Sequence, residues 1–274
     1  MSPLPASPLL IEYYMYHMAD SKRGASVKMF LAACRFYHLS NNLANPTDCD
    51  SIKLAAKNCN KEWLKTRKVL RRDPFPLIAL THYCAHRPCD TSEFEYRRNI
   101  ALISNCFRGM MRAGEIVKCC GKSIEYEDEN TVLVWDLGKT KTDKEGVDSR
   151  VPIDSVADSP ACPVSSMIQY EKTFTTQFGQ RFTKQKHLFV HENGKPLTTD
   201  DVREIVQQMI RFAGRKEVCG AHSLRSGGAT LAAKAGLSLE EIMAIGRWKS
   251  ECVHRYIRAL VGVGKKLSTL MFKS

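Results

Sequence analysis

The feature that most constrains this chain is the stretch from Ala221 to Leu260, AHSLRSGGATLAAKAGLSLEEIMAIGRWKSECVHRYIRAL, which packs two short basic motifs and a tyrosine into a run of helices joined by tight turns. His222 and Arg225 are three residues apart, so on a helix they share a face and can grip one small anion together. Gly227 and Gly228 follow, and without a Cβ they let another backbone come close. The helical pattern continues through Ala229, Leu231, Ala232 and Ala235 to Gly236, a C-terminal stop, and Ser238 is a natural N-cap for the next helix. That helix carries Leu239, Ile242, Met243 and Ile245 and ends at Gly246. Arg247 and Trp248 come next, and Tyr256 lies on the helix after them, beside Arg255 and Arg258.

A lone His-x-x-Arg arises often by chance, but here it is followed by Gly246-Arg247-Trp248 and then Tyr256-Ile257-Arg258. In that order and spacing the segment resembles the tyrosine recombinase (phage integrase) family, and most of all the Cre-like recombinases and those of DIRS-type and crypton mobile elements. The resemblance implies that His222 and Arg225 are catalytic and that Tyr256 is the nucleophile. Read by itself, Tyr256 would be a half-buried helical tyrosine. The family commonly places His or Trp directly after the glycine ahead of the tyrosine. Here Arg247 stands there and Trp248 follows, so either residue can fill that role.

Two further motifs carry the resemblance upstream. Met111-Arg112-Ala113-Gly114-Glu115-Ile116-Val117 is similar to the family's first motif, which makes Arg112 the first catalytic arginine and Glu115 its supporting acid. On its own Arg112 would be a surface or salt-bridge residue. Leu137 to Lys144 resembles the β-hairpin that bears the family's catalytic lysine, and Lys141 in its Thr-Lys-Thr-Asp context is the first choice, Lys139 the second. Gly138-Lys139-Thr140 is also the ending of a phosphate-binding P-loop, but the glycine required upstream is absent and no helix follows.

The remaining sequence fixes the organisation. A chain of 274 residues holds one large domain or two modest ones with a core of their own. Ser26 to Leu39 has helical periodicity. After the Asn45-Pro46 turn a second helix carries Lys53, Lys57, Lys61 and Lys65, then Lys68 and Arg72, a ladder of cations at steps of four and three. Such a ladder suits a phosphate backbone, where each contact adds salt-dependent, sequence-independent affinity; the plainer alternative is a solvated face. Asn58-Cys59-Asn60 are weak helix formers and predict a break in it. Asp73-Pro74-Phe75-Pro76 reads as a linker, which gives a small helical DNA-binding domain over 1–73, short for the resemblance as though missing a helix, and a catalytic domain over 74–274.

In the second domain, Leu77 to His86 is helical, Phe94 to Cys119 reads as one long helix, and Ser123 to Tyr126, Thr131 to Trp135 and Arg150 to Ile153 are strands. A helix from Cys162 and another capped by Thr198 or Thr199 complete the scaffold. The fold class expected is therefore mainly α with a small antiparallel β-sheet, and the resemblance makes it a two-domain DNA clamp with the tyrosine recombinase catalytic fold. His82, Cys84, His86 and Cys89 have a metal-like composition but irregular spacing, and they read as a helix end and loop.

A formal charge of +12 suits a polyanionic partner, and double-stranded DNA is the partner expected. The 11 cysteines are scattered, with no apolar leader ahead of them, and read as reduced thiols of a protein that is not secreted. No apolar run reaches the length of a membrane span. A phosphodiester resists attack because it is anionic, the nucleophile is weak and the alkoxide leaves poorly. Arg112 and Arg225 can bind the non-bridging oxygens, His222 can hydrogen-bond the phosphate or move the nucleophile's proton, and Lys141 can protonate the leaving 5′ oxygen. The resemblance implies a 3′-phosphotyrosyl intermediate, no cofactor and no metal, in keeping with the lack of a compact Asp/Glu cluster near the motifs.

It implies as well a homo-tetramer on DNA, joined through the apolar tail after Tyr256, though the tail can equally pack on its own domain. The compartment expected is the nucleus for a eukaryotic mobile element and otherwise the cytoplasm with DNA. The rival readings are a catalytically silent DNA-binding descendant of a recombinase and a type IB topoisomerase.

Overall fold

The structure is a computed structural model; it describes residues 5–21, 26–66 (the last three by backbone alone), 72–139, 145–147, 149, 150–180, 182, 187–249, 253–254 and 257. Two compact units are present, Met1–Arg71 and Arg72–Ser274.

The first unit is built from α1 (Pro8–Asp20), α2 (Val27–Ser40) and α3 (Asp50–Thr66). Ser7 caps α1 by accepting from the Leu10 N–H, with Pro8 in the first turn where its missing N–H costs nothing. Ile11, Met15, Ile52, Ala55 and Cys59 form the core of the unit. His38 is 2 % exposed and locks the entry to α1: its Nε2 accepts from the Ala6 N–H (3.0 Å) while Nδ1 donates to the Cys34 carbonyl (2.8 Å). The break expected at Asn58-Cys59-Asn60 does not occur, because α3 runs unbroken through it. Cys59 is 1 % exposed, one face of α3 is apolar and packed, and that tertiary packing outweighs weak local propensity.

The second unit begins in a segment that is not a loose linker. Asp73 donates its N–H to the Val218 carbonyl (3.0 Å) and accepts the Val218 N–H on its carboxylate (2.9 Å), and the Phe75 N–H donates to Ser223 (2.9 Å). Phe75 is buried and meets Phe107 edge-on. Helix α4 (Leu77–Ala85) follows, then α5 (Glu93–Arg108), capped by Ser92 and buried along nearly its whole length.

The single long helix expected from Phe94 to Cys119 is instead two. At Gly109–Met111 the chain turns, with Met110 at φ 45°, and Arg112 is the N-cap of the one-turn α6 (Ala113–Ile116). Strands β1 (Ile124–Glu127), β2 (Val132–Asp136) and β3 (Arg150–Asp154) form an antiparallel sheet in sequence order, with Trp135 paired to Ile124 on one side and Val151 on the other. Asn105 of α5 ties the layers together. It accepts from Trp135 Nε1–H (2.9 Å) and donates to the carbonyl of Pro163 (3.1 Å), which opens α7 (Pro163–Phe178). Next come α8 (Thr199–Phe212), with Thr198 and Asp201 as a capping box, then α9 (Ala221–Lys234) and α10 (Leu239–Gly246), capped by Ser238 and Glu241. His82, at the end of α4, packs its ring on His86 (4.6 Å) and Phe212 (5.4 Å).

Candidate active site

Three separate stretches meet where the N-terminal half of α9 crosses the end of α5. The crossing is close because of the paired glycines. A Cβ on Gly227 would lie 2.4 Å from the Phe75 carbonyl oxygen, and one on Gly228 would lie 2.2 Å from that of Phe107. No side chain fits either place, so α9 lies directly on the backbone of its neighbours and carries Arg225 into the turn at Gly109–Arg112.

Arg225 is 1 % exposed. Its guanidinium donates to the Met110 carbonyl and, at 2.5 Å, to that of Gly246, and its Cζ lies 4.0 Å from the ring centroid of Trp248. The Trp248 ring fits because Gly246 has no side chain: a Cβ there would sit 1.9 Å from the indole. Carbonyl dipoles and an aromatic face thus help to house the buried charge.

Arg112 and Glu115 form a reciprocal pair at the start of α6. Glu115 accepts the Arg112 backbone N–H (3.0 Å) on one oxygen and its guanidinium on the other. A third donor arrives from α10, where Arg247 Nη2 lies 3.4 Å from Glu115. Burial acts to raise the pKa of this carboxylate, but the Arg112 hydrogen bonds and the charges of Arg112 and Arg247 outweigh it and hold it below its ordinary value. Arg247 takes the left-handed conformation (φ 55°, ψ 44°) and also donates to the carbonyls of Gly109 (3.3 Å) and Ile245 (3.1 Å).

His222 lies in the first turn of α9, partly open to solvent. Its pKa is lowered, first by loss of solvent around the ring and then by the charges of Arg225, Arg112 and Arg72, so the ring is neutral at pH 7. Arg72, the end of the cation ladder in the sequence, belongs to this second unit. Its guanidinium lies against Gly220, 2.5 Å from where a Cβ would be. Nothing in the local pattern distinguishes it from the lysines before it; its place follows from the pairing of Asp73 with Val218.

Arg112, Glu115, His222, Arg225, Arg247 and Trp248 therefore come together. Lys141 and Tyr256 lie outside the described residues, as do Lys68 and the tail, and the side chain of Lys65 is also outside them. Lys139 is exposed beside the hairpin. Lys53, Lys57 and Lys61 are exposed on α3 of the first unit, with Lys53 paired to Asp50 (3.3 Å). What the sequence did not reveal is the part played by backbone: the carbonyls of Gly109, Met110, Ile245 and Gly246 carry no residue-type signature.

The family model for the phage integrase family matches residues 79–261, the span that holds all of these motifs. The integrase/recombinase XerD homolog of Selenomonas ruminantium is 27 % identical over 266 residues, covering 94 % of this chain and 75 % of that one. Recombinase Cre of Escherichia phage P1 is 24 % identical over 281 residues, covering 93 % and 77 %. Among solved structures, the XerH site-specific recombinase bound to palindromic difH substrate shares the fold at a TM-score of 0.58 and 18 % identity, over 91 % of this chain and 67 % of that one. The chain belongs to the phage integrase family. It is a tyrosine recombinase, an enzyme that cuts and rejoins DNA.

Proposed function

We propose that Tyr256 attacks a phosphodiester held by Arg112 and Arg225, forming a 3′-phosphotyrosyl link and freeing a 5′ hydroxyl. In that reading the tyrosine's proton passes to His222 or through its hydrogen bond to the phosphate, and Lys141 protonates the leaving oxygen. Two planar guanidinium forks match the charge that gathers on the non-bridging oxygens. The link conserves the energy of the phosphodiester, so a 5′ hydroxyl from another strand reverses the step without ATP. Trp248, one residue further on than the family's usual place, takes the role of the His or Trp that follows the glycine, and braces Arg225. What supports the assignment is the convergence of Arg112, Glu115, His222, Arg225 and Trp248 at one place from three separate segments. Glu115 orients Arg112. Lys53, Lys57, Lys61, Lys65, Lys68 and Arg72 bind the phosphate backbone around the cut.

The same reading makes this the recombinase of a mobile element. It acts as a homo-tetramer on duplex DNA through its C-terminal tail, in the nucleus if its host is eukaryotic and otherwise in the cytoplasm with DNA. The 1–73 segment and 74–274 together clamp the duplex. The test is to incubate wild type and Tyr256→Phe with nicked or bulged suicide duplexes from the flanks of its own gene, in EDTA, and to resolve the products on denaturing gels. A covalent protein–DNA band that needs Tyr256 is the expected result. No band on any substrate, with salt-sensitive DNA binding intact, would make the chain a silent DNA-binding descendant.

A further inference from the structure

Two arginines span the same gap one residue out of step. Arg225 joins the Met110 carbonyl to that of Gly246, and Arg247 joins the Gly109 carbonyl to that of Ile245. Both therefore tie the turn after α5 to the end of α10, and Arg247 also reaches Glu115, the carboxylate that orients Arg112. Arg247 does this from φ 55°, a conformation that favours glycine, so the local backbone gives no reason for an arginine there. Its side chain is 11 % exposed and turned inward onto three acceptors, which is not the posture of a group waiting for DNA.

We infer that Arg247 is a positioning residue that holds the Gly109–Arg112 turn against the end of α10 while Arg225 exchanges its carbonyls for the scissile phosphate. This rests on the functional reading above, in which Arg225 binds that phosphate. When Arg225 turns to the anion, its two carbonyl bonds are given up, and the strut one residue away is what keeps Arg112 in register with it. Nη1 of Arg247 serves both carbonyls while Nη2 reaches Glu115, and a single ammonium nitrogen cannot reproduce that spread over two nitrogens.

The experiment compares wild type, Arg247→Gly, Arg247→Lys, Glu115→Gln and the double variant Arg247→Gly/Glu115→Gln. The first suits the left-handed backbone, so it tests the side chain without adding strain. DNA affinity is measured against salt, and covalent complex formation is followed in a single turnover on saturating suicide duplex. The expected result for Arg247→Gly is a fall of about 10- to 100-fold in the covalent rate, the scale of a small misplacement of reacting groups. Its affinity and salt slope should remain those of wild type, Arg247→Lys should recover part of the rate, and the double variant should lose less than the product of the single losses.

A salt slope lower by about one, with affinity and rate falling together, would instead make Arg247 a phosphate ligand and overturn the inference. An unchanged rate would overturn it too. If wild type forms no adduct, the functional reading fails and the role of Arg247 in it fails with it. Urea unfolding of the same variants reads the strut separately, through non-additive losses for Arg247→Gly and Glu115→Gln.

Discussion

His222 shows how a residue at this site is tuned by its neighbours. Partial loss of solvent and then three arginines keep its ring neutral, the state in which an imidazole can accept a proton. Its folded-state pKa lies below the unfolded value of about 6.5. The unfolded chain therefore takes up the proton first on acidification, and the stability due to the neutral ring, complete above that value, is lost as pH falls through it toward the folded pKa. At low DNA concentration the covalent rate should fall on acidification with a midpoint under 6.5, and His222→Gln should abolish that limb. An acid limb that persists unchanged in His222→Gln would exclude the proton-accepting role. Gly246→Ala makes a steric prediction. A methyl 1.9 Å from the indole must displace Trp248 from Arg225, so single-turnover cleavage should drop by about tenfold or more while DNA affinity holds. The glycines show what a residue-level reading can reach: Gly227 and Gly228 announced a close approach, and the backbones of Phe75 and Phe107 fill it. Met110 at φ 45° announced nothing, because methionine has no preference for that conformation.

Among the elements, α5 carries the most constraint, since its end forms one wall of the site and its body joins the sheet to α7. Asn105 is fully buried, with its oxygen and both amide hydrogens engaged. Asn105→Ala leaves the Trp135 N–H and the Pro163 carbonyl without that partner in the core, which should cost about 2–4 kcal/mol of stability by urea unfolding. Ser238→Ala removes the cap of α10 and should cost about 1 kcal/mol, seen as a lower Tm. The caps at Thr198 and Ser238 and the three strands were readable because turn chemistry and alternation are local. Two helical features were not. The split between α5 and α6 falls in Gly109-Met110-Met111, where one glycine inside an apolar run gives no clear stop. The continuity of α3 through Asn58 and Asn60 follows from the burial of Ile52, Ala55 and Cys59, which local propensity cannot register.

At the scale of the whole molecule, the balance of +12 should make DNA affinity fall steeply with salt. Lys57→Ala and Lys61→Ala should each weaken binding to all sequences alike and reduce the salt slope by about one, read by anisotropy titrations at several ionic strengths. Variants that leave the slope unchanged would return those lysines to the role of a solvated helix face. The seclusion of Arg225 has a pharmacological consequence. A guanidinium with 1 % exposure is withheld from phosphate, nucleotides and vanadate alike, so such anions alone should inhibit only weakly, whereas a compound able to wedge aside Trp248 would reach a cation that everyday metabolites do not occupy.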